Sequence, residues 1–267
     1  MTNAARSHYQ AGRLGDAIAA ATADVKARPG DPDGRGFLAE LLCFAGTLER
    51  ADLMLDVIGQ QTPAMAVTLA LFRQLIRAEQ ARQQVFAEGR LPELLEPAPA
   101  WLKAHLEALV LLREGNEGEA AARLAEAEAG YPVLSGRCDD RAFEGFRDLD
   151  DVSAPFFEVL TSTGKYYWIP MDRVVSIEFR APTRPHHLLW RAAQMVVADG
   201  PDGEVYLPSL YPGSATAGDD QLRLGRATDW RGGEGGPVRG IGQRCFLAGE
   251  EAVSILEIGR LDFTTAA

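Results

Sequence analysis

The sequence predicts an α+β chain: a stack of antiparallel α-hairpins over residues 1–133, then a mainly antiparallel β domain, a sheet or partly open barrel, over residues 134–267. Two observations lead there. The spacing Gly, four residues, Ala, eleven residues, Pro occurs as Gly12-Ala17-Pro29, Gly46-Ala51-Pro63 and Gly115-Ala120-Pro132. Its first two copies lie 34 residues apart and the third about two such lengths later, the period of a tetratricopeptide-like helix pair. After Pro132 the helical periodicity gives way to short β-branched and aromatic runs punctuated by Gly and Asp.

Each residue of the repeat has a structural reason. Gly permits the tight turn between two helices, the small Ala lets them approach closely, and Pro ends the second helix before the next pair begins. In the first pair Leu14, Ala17, Ile18, Ala21 and Val25 form one apolar stripe, closed by Arg28-Pro29-Gly30-Asp31-Pro32. The second pair carries Phe37, Leu38, Leu41, Leu42 and Ala45 on one helix and Leu48, Ala51, Leu55 and Ile58 on the other, with Thr62-Pro63 as its end. Residues 64–87 read as a degenerate pair, with Val67, Leu71, Leu75 and Ala78 on one side but without the repeat signature. Residues 90–99 are a break, and 101–113 with 117–129 form the last pair. In such a stack the first helix of each pair lines the concave side. Arg6, Tyr9, Glu40, Phe44, His105 and Leu109 are therefore candidates for a peptide-binding groove, the alternative for each being ordinary inter-helix packing.

In the second half, strands are read at 156–161, 166–169, 174–179, 188–197, 204–207, 241–247 and 253–258. Gly164, Asp199-Gly200-Pro201-Asp202-Gly203 and the glycine-rich run 232–236 supply the turns. No long helical stretch separates these strands, so antiparallel pairing is expected. The acidic bridge 139–151 is expected to join the halves as a short helix or loop.

Composition narrows the functional classes. A 46% hydrophobic and 24% charged content is that of a globular protein, not a disordered or membrane chain. The longest apolar run, 64–72, is too short to span a bilayer, and residues 1–6 lack the pattern of a signal peptide, so a cytoplasmic protein is expected. The net charge of −11 is shared almost evenly by the two halves. Neither half has the basic excess that phosphate-backbone binding needs, which argues against nucleic acid and for a basic or amphipathic protein partner. Cys43, Cys138 and Cys245 stand outside any metal spacing.

Chemistry is largely declined. His186 and His187 on a strand would face opposite sides and could not chelate one metal together, so a solvated edge or a hydrogen-bonding role is expected. In Asp148-Leu149-Asp150-Asp151 a Ca²⁺ loop would need Gly and Glu where Ser153 and Val159 stand, so capping or pairing with Arg147 is the reading. The 232–236 run lacks the Lys and the following helix of a phosphate cradle and reads as a hairpin loop. No Ser, Cys or Thr sits in a nucleophile-elbow sequence, and no catalytic residue, metal or cofactor is assigned. Tyr166, Tyr167, Trp168, Trp190, Tyr211 and Trp230 are expected mainly in the core of the β half, some forming a platform against the helices or a partner.

One ordered series runs through the β half: Phe143-Glu144-Gly145-Phe146-Arg147-Asp148-Leu149-Asp150-Asp151, then Phe157-Glu158, Gly164-Lys165-Tyr166-Tyr167-Trp168-Ile169-Pro170 and Leu188-Leu189-Trp190-Arg191. It continues through Pro208-Ser209-Leu210-Tyr211-Pro212-Gly213-Ser214, Thr228-Asp229-Trp230 and Gly240-Ile241-Gly242-Gln243-Arg244. With the helical repeats before it, the series resembles the ImpE/TagJ family of type VI secretion accessory proteins over nearly the whole chain. His186-His187 stand where that family commonly has Arg-Asp, and Leu210 where an Arg is usual. The resemblance implies signature positions at Asp148, Glu158, Tyr166, Trp168, Trp190, Arg191, Tyr211, Trp230, Gln243 and Arg244. It also implies a non-catalytic adaptor that binds the N-terminal helix of the small sheath subunit, with a further link to the ATPase that recycles contracted sheath. The mode would be helix-in-groove, with Glu40 facing basic residues at the rim. A second reading makes the β half a small-ligand or enzymatic domain, on the grouping of Asp148, Glu158, Tyr166, Trp190, Arg191 and Arg244, with the helices serving oligomerisation. A third is a self-associating structural protein.

Overall fold

Residues 4–264 are described by a computed structural model of the chain. The repeat spacing produces the helix pairs it predicts: α1 (Ala4–Gln10) with α2 (Leu14–Ala27), and α3 (Pro32–Phe44) with α4 (Leu48–Gln61). Between them and the last pair runs α5 (Ala66–Glu88), followed by α6 (Ala100–Arg113) with α7 (Glu117–Glu128). Gly12, Gly46 and Gly115 take φ of 76°, 70° and 79°, the left-handed turn a side chain would oppose. Ala17, Ala51 and Ala120 are completely buried, as close helix approach requires. At the start of α3, Asp31 accepts hydrogen bonds from the N–H groups of Asp33 and Gly34, with Pro32 as the first helical residue.

Residues 64–87 depart from the expected degenerate pair. They lie almost wholly in one 23-residue helix, because no Gly or Pro interrupts the run before Gly89 turns the chain at φ 82°. Its buried face carries Leu69, Phe72, Leu75 and Ile76 together with the charged Glu79 and Arg82, while Val67, expected on the apolar side, is exposed. No helix among the described residues is long and apolar enough to cross a membrane.

The second half is built from short strands. β1 (Ser135–Cys138), β2 (Arg141–Glu144), β3 (Phe146–Asp148), β4 (Phe156–Leu160), β5 (Tyr166–Pro170) and β6 (Val174–Phe179) come first. β7 (Trp190–Val197) and β8 (Asp202–Pro208) precede a four-residue helix, α8 (Asp220–Arg223). β9 (Thr228–Arg231), β10 (Arg239–Gly242), β11 (Cys245–Ala248), β12 (Glu251–Ser254) and β13 (Arg260–Phe263) complete the order. An eight-stranded sheet runs β2-β1-β13-β6-β7-β8-β4-β5, with every neighbour antiparallel. A three-stranded sheet, β12-β11-β3, and the β9–β10 hairpin accompany it, and the barrel is not closed. The β5 edge is covered by the chain itself: Glu93 N–H donates to the Tyr166 carbonyl at 2.9 Å and Trp168 N–H to the Glu93 carbonyl at 3.1 Å.

Alternation along β4 shows how the layers stack. Phe156 and Leu160 join an apolar core continuous with Leu41, Ile76 and Leu109 of the helices, whereas Phe157 and Val159 join a second core with Ile169, Leu207 and Phe246. The large sheet thus has helices on one face and the small sheet on the other, which is why all five β4 residues are buried.

Four further expectations are corrected. The strand read at 253–258 begins earlier and ends at Ser254, where a turn starts. The bridge 139–151 is largely strand: β1 and β2 form a hairpin whose turn puts Asp139 at φ 52°, and β3 follows at once. The run 241–247 breaks at Gln243-Arg244 into β10 and β11. His186 and His187 occupy a 3₁₀ turn, Pro185–Leu188, because Pro185 starts a turn and removes a ladder donor.

Candidate functional site

Glu79 and Arg82 are three residues apart on α5 and so share one helix face, which is turned toward the sheet. Arg82 Nε donates to Glu158 Oε1 at 2.7 Å, Nη2 to Glu158 Oε2 at 3.1 Å and to the Leu210 carbonyl at 2.9 Å, and Nη1 to Glu79 Oε1 at 3.1 Å. Glu158, from β4, also accepts from Arg244 Nη2 and from the Tyr166 hydroxyl. Arg244 reaches back to Asp148 at 2.6 Å, and the Tyr211 hydroxyl lies 3.0 Å from the same carboxylate. The indole N–H of Trp168 donates to Tyr166 at 2.6 Å and that of Trp190 to Glu79 at 3.1 Å. The break between β10 and β11 is what turns Arg244 inward. Gly240 lets the Tyr211 ring lie against β10, since a Cβ there would lie 2.3 Å from ring carbons of Tyr211.

The charges of this buried network complement one another. Burial would raise the Glu158 carboxyl, but the guanidiniums of Arg82 and Arg244 outweigh it and hold it at about 2. Burial raises Asp148 to about 6 against the pull of Arg244, and raises Glu79 as well. Carboxylates and guanidiniums converge, as the small-ligand reading anticipates, but they are engaged with each other. What the cluster does is fasten α5 to β4 and to the β10–β11 bend.

Beside it opens a cleft of about 510 Å³ between the end of α3, the α5 and α6 faces and the 210–216 loop. Phe44, Phe86, Leu109, Leu112 and Leu210 give it apolar walls, Glu79 and Arg82 face it, and Arg113 and Arg239 border it.

Of the six groove candidates, Phe44 and Leu109 meet in this cleft. Glu40 is buried, accepting from Arg184 Nε at 3.1 Å and His186 Nδ1 at 2.7 Å. Burial would raise its carboxyl, but His186 and Arg184 prevail and lower it. Its negative charge is engaged inside the chain, and His186 further stacks on Phe72. His105 is buried, with Nδ1 donating to the Val152 carbonyl at 2.7 Å and Nε2 2.5 Å from the Tyr131 hydroxyl; burial lowers its pKa to about 4. Tyr9 packs against Phe37 and Phe44 beneath Arg226, and the exposed Arg6 covers the Phe37 ring.

Of the signature positions, Asp148, Glu158, Tyr166, Trp168, Trp190, Tyr211 and Arg244 belong to the network. Arg191 lies outside it, over the Phe179 ring and bonded to the Ile255 carbonyl. Trp230 is 40% exposed on β9 and tilted against Tyr211, and Gln243 pairs by its backbone with Leu210 and Ala227. Glu79 and Arg82 are the members that sequence reading misses. The available signal is a charge pair set in the apolar stripe of a helix.

A protein-family model described as ImpE protein matches residues 140–262, the segment that supplies all but the α5 members of the network. Over 255 residues the chain is 34% identical to the type VI secretion system accessory component TagJ of Pseudomonas aeruginosa, covering 95% of this chain and 89% of that one. This chain belongs to the ImpE/TagJ family. A crystal structure of a Vibrio parahaemolyticus protein matches it with a TM-score of 0.92 over 98% of both chains at 23% identity, so this ImpE/TagJ chain shares its helices-on-sheet fold with a solved structure.

Proposed function

We propose that this chain is a non-catalytic cytoplasmic adaptor of the type VI secretion system that holds the N-terminal helix of the small sheath subunit in the cleft between hairpin stack and sheet. The observation that carries the reading is the apolar cleft itself, walled by Phe44, Phe86, Leu109, Leu112 and Leu210 from both halves. An amphipathic helix lays side chains spaced three and four apart into such a groove. Kinship to an accessory component of that system supports the choice of partner. Glu40 is not available to a partner's basic rim. Of the cations bordering the cleft, Arg239 is paired with Asp150, and Arg113, which has no salt bridge among the described residues, favours a helix with an acidic flank. Held this way, the sheath subunit would be presented to the ATPase that recycles it.

Calorimetric titration tests this. The intact sheath subunit is expected to bind, the subunit lacking its first helix is not, and Phe86→Glu or Leu112→Glu should weaken binding by about tenfold or more, since each places a charge in an apolar wall. Equal binding by the truncated subunit would rule out the mode.

A further inference from the structure

The cleft between hairpin stack and sheet has apolar walls but a polar floor. Glu79 and Arg82 line it, 9% and 5% exposed, and both are bonded to other residues of its lining: the Trp190 indole N–H donates to Glu79 Oε2 at 3.1 Å, and Arg82 Nη2 donates to the Leu210 carbonyl at 2.9 Å. The Arg82 guanidinium also lies 5.9 Å from the centre of the Phe86 ring. Hydrogen-bonding capacity is left over on both side chains. Arg82 gives its Nε–H to Glu158, one Nη1–H to Glu79 and its Nη2–H groups to Glu158 and Leu210, so the second N–H of Nη1 has no acceptor among the described residues. Each oxygen of Glu79 accepts one hydrogen bond, Oε1 from Arg82 and Oε2 from Trp190, and keeps a further lone pair. The spare donor and the spare acceptor are neighbours, since Nη1 and Oε1 are 3.1 Å apart. Water satisfies such groups in an open cleft, and a helix that seals the cleft must replace that water or leave them bare.

We propose that the partner helix seats one side-chain carboxamide, of Asn or Gln, on this floor, its oxygen accepting the spare Arg82 Nη1–H and its NH₂ donating to Glu79. This contact presupposes a helix in the cleft, as proposed above, and adds the residue type at the centre of its apolar stripe. The other side-chain classes each fail one member of the pair. An ammonium would satisfy Glu79 but has no acceptor for Arg82 and repels its guanidinium. A carboxylate would satisfy Arg82 but repels Glu79. An aliphatic side chain would bury the spare N–H and lone pairs without partners. A hydroxyl must serve donor and acceptor from a single atom, whereas a carboxamide answers them with two. Because it is neutral, it also brings no new charge into a network whose carboxylates and guanidiniums already hold one another.

The first test uses the isotope-labelled full chain without its partner, titrated with hexanamide, hexanol, hexanoate and hexylamine and followed by NMR. Hexanamide is expected to shift amide resonances of residues 79–87 and 210–216 and the Trp190 indole N–H, and to bind about tenfold more tightly than either ionic probe, with hexanol between. Glu79→Gln, which keeps the shape and an acceptor for Trp190, should erase the preference for hexanamide over hexanoate. The second test uses the sheath subunit's N-terminal helix, with each of its Asn and Gln residues replaced by Leu in turn. One replacement is expected to weaken binding about tenfold, and to cost much less against the Glu79→Gln chain, as a direct contact requires. Hexanamide binding no more tightly than hexanol or the ions, or a helix that occupies the cleft without an Asn or Gln whose loss is felt, would overturn the proposal while leaving the adaptor reading in place. A sheath helix that does not bind, with hexanamide still preferred, would refute that partner and uphold the carboxamide selectivity of the floor.

Discussion

Replacing Glu158 by alanine is expected to destabilise the chain by about 3–5 kcal/mol, because it strands two buried guanidiniums that one carboxylate now joins. Arg82 and Arg244 are 5% and 2% exposed, so neither can turn to water when the carboxylate is lost. For a chain of this length the melting temperature should fall by roughly 10 °C. Glu158→Gln, which keeps the shape and an acceptor, should lie between. A double-mutant cycle with Arg82→Met should return a favourable coupling above about 1 kcal/mol, whereas additive losses would mean that the pair is idle. The pH dependence has a defined sign. Folding holds the Glu158 carboxyl at about 2, below its ordinary value of 4.5, so the folded state binds fewer protons between those limits. Its stabilisation is complete above pH 4.5 and is lost as pH falls toward 2, and the alanine variant should lack that part of the acid transition.

Trp168→Ala should cost a similar amount, about 3–5 kcal/mol, for a different reason. Trp168 is completely buried, stacked on Phe156 with ring centroids 4.0 Å apart and tilted against Phe86 of α5. Its removal leaves a cavity in the one apolar core that runs from the helices into the sheet. Both halves should therefore lose stability together, and unfolding followed by far-ultraviolet and near-ultraviolet circular dichroism should shift as one transition. Trp168→Phe, which keeps a ring but loses the N–H to Tyr166, should cost about 1 kcal/mol. Separate transitions, with only one half shifted, would show that the shared core does not couple them.

The helical half was legible because its punctuation is local. Gly12, Gly46 and Gly115 turn the chain, and Ala17, Ala51 and Ala120 mark the closest helix approach, each by its own residue type. The misreading of 64–87 came from carrying the repeat through a stretch that has no turn residue to enforce it. The strands β4 to β8 and β10 to β12 were legible as apolar runs, whereas the short β1, β2, β3, β9 and β13 were not; the ends were not legible either, since Gln243-Arg244 interrupts a run for a reason that lies 86 residues away at Glu158. The surroundings of the groove candidates were hidden for the same kind of reason. Repeat register identifies which residues face the concave side, but it cannot say that the chain's own β half occupies part of that face and takes Glu40 through Arg184 and His186. Phe44 and Leu109 line the cleft, which opens where the covering stops. The network was half visible: its β members stand in the ordered series, while Glu79 and Arg82 look like any surface ion pair until the sheet is placed over α5.

That a partner's helix lies between the hairpin stack and the sheet is tested most directly by amide hydrogen exchange, with and without the sheath subunit's N-terminal helix. Protection is expected to rise at the cleft in residues 83–87, 109–113 and 210–216, and to stay unchanged on α2 and α4. Protection confined to α2, α4 or the β9–β10 hairpin, with the cleft exchanging as in the free chain, would contradict it.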